Sequence, residues 1–309
     1  MKKKLAISIG DLNGVGIEIA LRSHSEIEKL ITPLYLIDDE MLTQSAKLLS
    51  IDIPKGFRNI SPDSKYFKIE PSVISKESGE YSYKSFLKGV ELARAGEVDG
   101  LVTLPIHKKG WELAGVNYKG HTDALRDFFK TDAIMMLGCD KMFVALYTEH
   151  IPLKDIPLYI NVSKLTDFLV DFHRNIESDL RVDEVVALLG LNPHAGDDGV
   201  LGDEEIVILE ARDRANALIG REVYSPPLVP DIAFTPRVRE KYRYYVAMYH
   251  DQGLAPLKAL YFEEGINVSL NLPIIRTSVD HGTAFDIAYK GITLLDNRSY
   301  LNAISYAIK

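Results

Sequence analysis

Three histidines close apolar runs in this sequence. His150 ends the run 142–149, His194 follows the run 185–189 through Gly190-Leu191-Asn192-Pro193, and His250 ends the run 244–249. Neutral imidazole is a good ligand for zinc, cobalt or nickel, and three imidazoles with one open position make a catalytic metal site. The separations are too long for a local motif. Either three strand ends bring the rings to one point, or each ring is a hydrogen-bonded boundary residue. Asp251 directly follows His250. It reads as a general base, as a partner that orients imidazole, or as a helix N-cap for the segment beginning near Leu254.

A second group of residues suits an anion. Gly120-His121-Thr122-Asp123 offers polar side chains in succession, with Thr122 or Asp123 as the alternative cap of a helix over 124–129. Lys258, Asn267 and Arg276 lie beside apolar runs, and a cation next to buried sequence suits a negatively charged substrate. Residues 279–283 and 105–109 form further polar clusters. Gly10, Gly14 and Gly16 follow the opening apolar run, but G-x-x-x-G-x-G is not the Rossmann spacing. The turn is either a tight glycine turn or a set of N–H groups for an anion. His24 and His173 read as structural residues.

The elements that must position these groups alternate along the chain. Strands are predicted at 5–9, 34–37, 100–104, 134–137, 142–147, 184–189, 244–249 and 266–270. Several are continuous apolar runs, as in strands covered on both faces. Helices are predicted at 85–95, at 165–176 with Ser163 as cap, after Asp203 with Glu204 and Glu205 in its first turn, and at 299–308. Residues 52–82 are polar and irregular. Alternating strands and helices predict an α/β fold.

Composition narrows the class. The chain has 309 residues, 46% hydrophobic and 26% charged, enough for two globular domains. Its net charge of -8 argues against a nucleic-acid partner held through phosphates. The single cysteine, Cys139, excludes an internal disulfide and a multi-cysteine zinc site. The basic start, Met1-Lys2-Lys3-Lys4, precedes an apolar run too short for a signal peptide, and no run is long enough to span a bilayer. A soluble cytoplasmic protein with no membrane partner is expected.

The stretches GDLNGVGIE (10–18), LPIHKKG (104–110), YKGHTD (118–123), TEHIPLKDI (148–156), GLNPHAGDDG (190–199), AMYHDQGLAPLK (247–258) and GINVSLNLPIIRTSVDHGTAFDIA (265–288) occur in one order along the chain. With the terminal LNAISYAIK (301–309) they resemble the 4-hydroxythreonine-4-phosphate dehydrogenase family of vitamin B6 synthesis. The resemblance implies an isocitrate/isopropylmalate dehydrogenase-like fold, with two α/β domains flanking a cleft. The domains expected are 1–119 plus 280–309, and 120–279, the second carrying dimer contacts and most site residues. It implies a divalent metal (zinc, cobalt or magnesium) on His150, His194 and His250, and substrate contacts from His121, Thr122, Lys258, Asn267 and Arg276. It further implies NAD or NADP as cofactor and a homodimer whose site is completed by the second subunit. The substrate would be 4-phosphooxy-L-threonine, with Asp251 or Asp231 as the base. Threonate or erythronate 4-phosphate is the alternative substrate. Phosphoacyl transfer and non-catalytic metal or phosphometabolite binding are the alternative functions. The chain departs from the family pattern at Leu12 and Ile17, where proline is usual, and in a shorter segment around 51–80.

Overall fold

The computed structural model describes residues 2–291 and 296–309; Met1 of the basic start lies outside them. Two compact units divide the chain, one formed by Met1–Thr131 with Ile266–Lys309 and the other by Asp132–Gly265.

In the first unit β1 (Lys4–Ser8) pairs in parallel with β2 (Thr32–Leu36) on one side and β4 (Gly100–Thr103) on the other. The short β3 (Asn59–Ile60) extends the sheet beyond β2. Beyond β4 lies β10 (Arg276–Val279), parallel to β4 and antiparallel to β9 (Ile266–Leu270). Leu5, Ala6 and Ile7 are fully buried, as a continuous apolar run requires when helices cover both faces. The helices are α1 (Gly16–Leu30), α2 (Asp39–Leu49), α3 (Lys76–Arg94), α4 (Lys108–Leu113), α5 (His121–Phe129) and α11 (Arg298–Ala307). Asp38 caps α2 by accepting from Met41 N, and Ser75 caps α3 by accepting from Ser78 N.

The second unit is built on the order β5-β6-β8-β7. β5 (Ile134–Cys139) and β6 (Met142–Leu146) form an antiparallel hairpin. β6 and β8 (Tyr244–Ala247) are parallel, as are β8 and β7 (Ala187–Leu188). α6 (Val162–Ile176) packs on α7 (Glu204–Ile219). The short α8 (Pro230–Ala233) and α9 (Pro236–Arg239) lead into β8, and α10 (His250–Tyr261) leaves it. Met135, Leu137, Val144, Ala187, Tyr245, Leu254 and Leu257 make one core.

Several expectations shift. The unit edges fall at 131/132 and 265/266 rather than 119/120 and 279/280. The reason is that α5 buries Ala124 and Leu125 against Phe86 and Trp111, and β9 and β10 join β4. Consequently His121, Thr122, Asn267 and Arg276 belong to the first unit. The cap of α6 is Asn161, with extended backbone, accepting from Lys164 N; Ser163 lies inside the helix. The N-cap of α5 is Gly120, not Thr122 or Asp123. The strand predicted at 184–189 shrinks to two ladder residues, extended by bridges Val186–Tyr224 and Leu189–Leu228. The helices α1 and α2 and the strand β10 are not among the predicted elements. β10 is a fully buried strand of mostly polar residues, whose side chains find partners within the unit.

Candidate active site

Parallel pairing of β6 with β8 sets the second unit's half of the chemistry. The register Leu146↔Ala247 continues past both strands: Tyr147 N donates to Ala247 O and Thr148 Oγ1 donates to Met248 O. Two segments held side by side in this way end at the same level. His150 and His250 therefore come together, with ring centroids 5.7 Å apart. Gln252, buried in the first turn of α10, accepts from Met248 N and donates to Gly190 O at 2.6 Å, tying β8 to the segment that leaves β7. Gly253 lets α10 sit directly on the sheet, because a Cβ there would lie 2.4 Å from Val144 Cγ1.

Asp251 Oδ1 lies 2.7 Å from His250 Nδ1. With Nδ1 engaged, Nε2 is the nitrogen left for a metal, the usual carboxylate–histidine–metal relation. The donor set of two neighbouring imidazoles and an orienting carboxylate fits zinc, cobalt or nickel better than magnesium. His150 and His250 border a cavity of about 210 Å³ that Glu149, Tyr249 and Asp251 also line. Among the described residues no group of three potential ligands forms, so His194 does not join the pair within its own chain. His194 instead opens a turn in which residues 194–198 all have positive φ. Each non-glycine residue in that region costs roughly 1–2 kcal/mol. Asp231 is exposed in the first turn of α8 and carries no hydrogen bond or ion pair among the described residues. Lys258, on α10, is half-buried with its Nζ 5.8 Å from the Phe262 ring centroid.

The first unit gathers the other polar residues. Arg276 is 2% exposed on β10. Its Nη1 donates to Ser269 Oγ at 3.0 Å and its Nη2 to Thr103 Oγ1 at 2.7 Å. Ser269 Oγ in turn meets Thr122 Oγ1 at 3.3 Å. Hydroxyls satisfy N–H groups but do not neutralise a charge, and burial pushes the Arg276 pKa down to about 9. The group is still a cation at neutral pH. His121 packs against Phe86 and edge-on to Trp111. Burial first, and then the Arg276 charge, hold its pKa well below the ordinary histidine value. His121 is therefore a neutral ring at pH 7. Three buried atoms here have no protein partner: Arg276 Nε, His121 Nε2 and Asn267 Oδ1. Of these, Arg276 Nε is a donor beside a buried cation, and Asn267 Oδ1 is an acceptor.

The glycine turn at 10–16 has another role. Asp11 N donates to Pro105 O, Asn13 N to Asp11 Oδ1, Gly14 N to Asp11 O and Val15 N to Thr283 O. These four N–H groups are satisfied by the protein. Asp11 also accepts from Ser78 Oγ.

A family model for "Pyridoxal phosphate biosynthetic protein PdxA" matches residues 29–307. The chain is 58% identical over 309 residues to a 4-hydroxythreonine-4-phosphate dehydrogenase of Sulfurimonas denitrificans, covering 99% of this chain and 97% of the relative. It is 46% identical over 318 residues to the same-named protein of Helicobacter pylori, covering 99% of each. The chain belongs to the PdxA family. The structure of a putative 4-hydroxythreonine-4-phosphate dehydrogenase from Salmonella typhimurium matches 100% of this chain and 99% of that one, with a TM-score of 0.84 at 30% identity.

Leu12 and Ile17 stand where the resemblance leads one to expect proline. Both are fully buried. Ile17 falls in the first turn of α1, where proline and non-proline residues fit equally because no N–H is needed for the helix ladder. Sequence reasoning missed Thr103, Ser269 and Gln252. Ser269 lies two positions from Asn267 on β9, which puts both on one face, and that spacing is the signal that could have found it.

Proposed function

We propose that the chain is an NAD(P)-dependent, divalent-metal-dependent dehydrogenase that oxidises the 3-hydroxyl of 4-phosphooxy-L-threonine. The product, 2-amino-3-oxo-4-phosphooxybutanoate, is a β-keto acid and loses carbon dioxide to give 3-amino-2-oxopropyl phosphate. The observation that carries this reading is the buried Arg276, whose Nε has no protein partner, in a chain whose relatives bear that activity in their names.

Arg276, His121, Thr122 and Asn267 bind and orient the substrate's anionic groups. Arg276 supplies the charge and neutral His121 a directional hydrogen bond. Lys258 adds a second cation from α10. His150 and His250 are two of three imidazole ligands, and His194 of a second copy of the chain is the third, since His194 does not reach the pair in its own chain. A divalent ion held there supplies Lewis-acid polarisation of the reacting hydroxyl. Asp251 holds the His250 ring through Nδ1. Asp231, with its carboxylate unengaged, takes the hydroxyl proton. NAD(P), when bound, would supply the hydride acceptor.

The test compares substrates. Zinc-loaded protein is expected to reduce nicotinamide with 4-phosphooxy-L-threonine, and chelation should abolish the signal. Reduction with threonate or erythronate 4-phosphate alone would move the substrate to the sugar-acid class. Zinc binding without reduction of nicotinamide by either would leave a binding protein.

A further inference from the structure

The turn that carries His194 is held by a carboxylate. Glu205, in the first turn of α7, accepts from Leu191 N at 2.8 Å and from Asn192 N at 2.7 Å through Oε1. Its Oε2 accepts from Asn192 Nδ2 at 2.9 Å. Asn192 Nδ2 also donates to Glu204 Oε2. Immediately downstream the backbone turns left-handed: His194, Ala195, Asp197 and Asp198 have φ between 45° and 54°. Such a run does not persist unless its surroundings fix it.

The space around this carboxylate is fitted to it. A Cβ on Gly196 would lie 2.7 Å from Glu205 Oε2, and one on Gly202 would lie 2.2 Å from Asn192 Nδ2. Gly190 approaches Glu205 Oε1 from the third side, where a Cβ would sit 3.1 Å away. Three glycines thus enclose one carboxylate–amide pair, and His194 is the second residue after the clamped Asn192. Neither Glu204 nor Glu205 is needed to cap α7, whose N-cap Asp203 makes no side-chain cap bond.

We infer that Glu205 is a positioning residue that fixes the left-handed turn and so presents the His194 imidazole for metal binding. The inference rests on the reading of His194 as a ligand. It adds that ligand quality at this position is set by a residue eleven places away, through backbone N–H groups rather than through the ring. Outer partners of metal ligands typically change affinity about tenfold to a hundredfold when removed.

The experiment titrates zinc against a competing chromophoric chelator, using the full chain as wild type, His194→Ala, Glu205→Ala and Glu205→Gln. Amide hydrogen exchange of residues 191–198 in the metal-free proteins is the second readout. Glu205→Ala is expected to weaken zinc by about tenfold to a hundredfold and to speed exchange in the turn. Glu205→Gln keeps one acceptor oxygen for the two N–H groups, so it should recover part of both. Zinc affinity within about twofold of wild type in Glu205→Ala, beside a clear loss in His194→Ala, would overturn the positioning role alone. Unchanged affinity in both would overturn the ligand reading and the inference with it. Should Glu205→Ala fail to fold, unchanged affinity and unchanged exchange in Glu205→Gln would still overturn the role.

Discussion

Arg276 and His250 show two opposite ways of preparing a polar site. Arg276 sits on a central strand, 2% exposed, with every fixed partner on the same unit and none of them charged. His250 sits at the mouth of a strand, its side chain 38% exposed, beside one further imidazole and an exposed carboxylate. The first is a buried guanidinium held by two hydroxyls. The second is an open partial ligand set. The contrast teaches that rigidity and completeness need not coincide in one protein. On the proposed function, charge recognition is built into a sheet, whereas metal recognition is left at strand ends.

The contrast can be broken at several points. The largest effect is expected from His250→Ala. It removes one of the three imidazoles proposed to hold the metal, so bound zinc and turnover should both disappear while the fold, followed by circular dichroism, stays intact. Arg276→Met should lower kcat/KM by about 30-fold to 5,000-fold, the result of ~2–5 kcal/mol for truncating a desolvated charge contact. The same variant should melt higher than wild type in the absence of ligand, because it removes a buried cation without a counter-charge. A lower melting temperature would show that the charge is compensated. Asp251→Asn keeps the shape but weakens the hold on His250 Nδ1, and zinc affinity should fall about tenfold or more.

A smaller effect concerns pH. The folded pKa of His121 lies below that of the unfolded chain, so between the two values the unfolded state binds the extra proton. Stability then falls as pH drops through about 6.5. His24 and His173 are shifted the same way by burial, so the slope is shared. His121→Asn should flatten the decline, and thermal melts of both proteins from pH 7 to pH 5 would measure the difference. An unchanged slope would place the proton uptake elsewhere. Gln252→Leu should reduce stability by ~1–3 kcal/mol, since it leaves Met248 N and Gly190 O without their buried partner.

The histidines at strand ends were legible because periodicity and position survive in sequence: runs 142–147 and 244–249 end near His150 and His250, and parallel pairing brings those ends together. The completeness of that set was not legible, because whether His194 reaches the pair depends on a turn whose left-handed backbone has no pattern in residue types. The polar group around Arg276 was half legible. His121, Thr122, Asn267 and Arg276 stood out as polar groups beside apolar runs, but β10 itself did not, since Arg276, Thr277 and Ser278 read as surface residues until their partners are known. Helix α10 was obscured by Gly253 and Pro256, the first needed for close packing on Val144. The compact units end at 131/132 and 265/266, edges that follow packing such as the cluster holding Leu125 and Trp111, which local composition does not reveal.

The proposed function places the substrate's anion on Arg276, with or without the metal. Calorimetric titration of 4-phosphooxy-L-threonine into metal-free wild type and metal-free Arg276→Met tests it most directly. Measurable binding to the wild type and its loss in the variant are the predicted results. Equal binding to both proteins would contradict the claim.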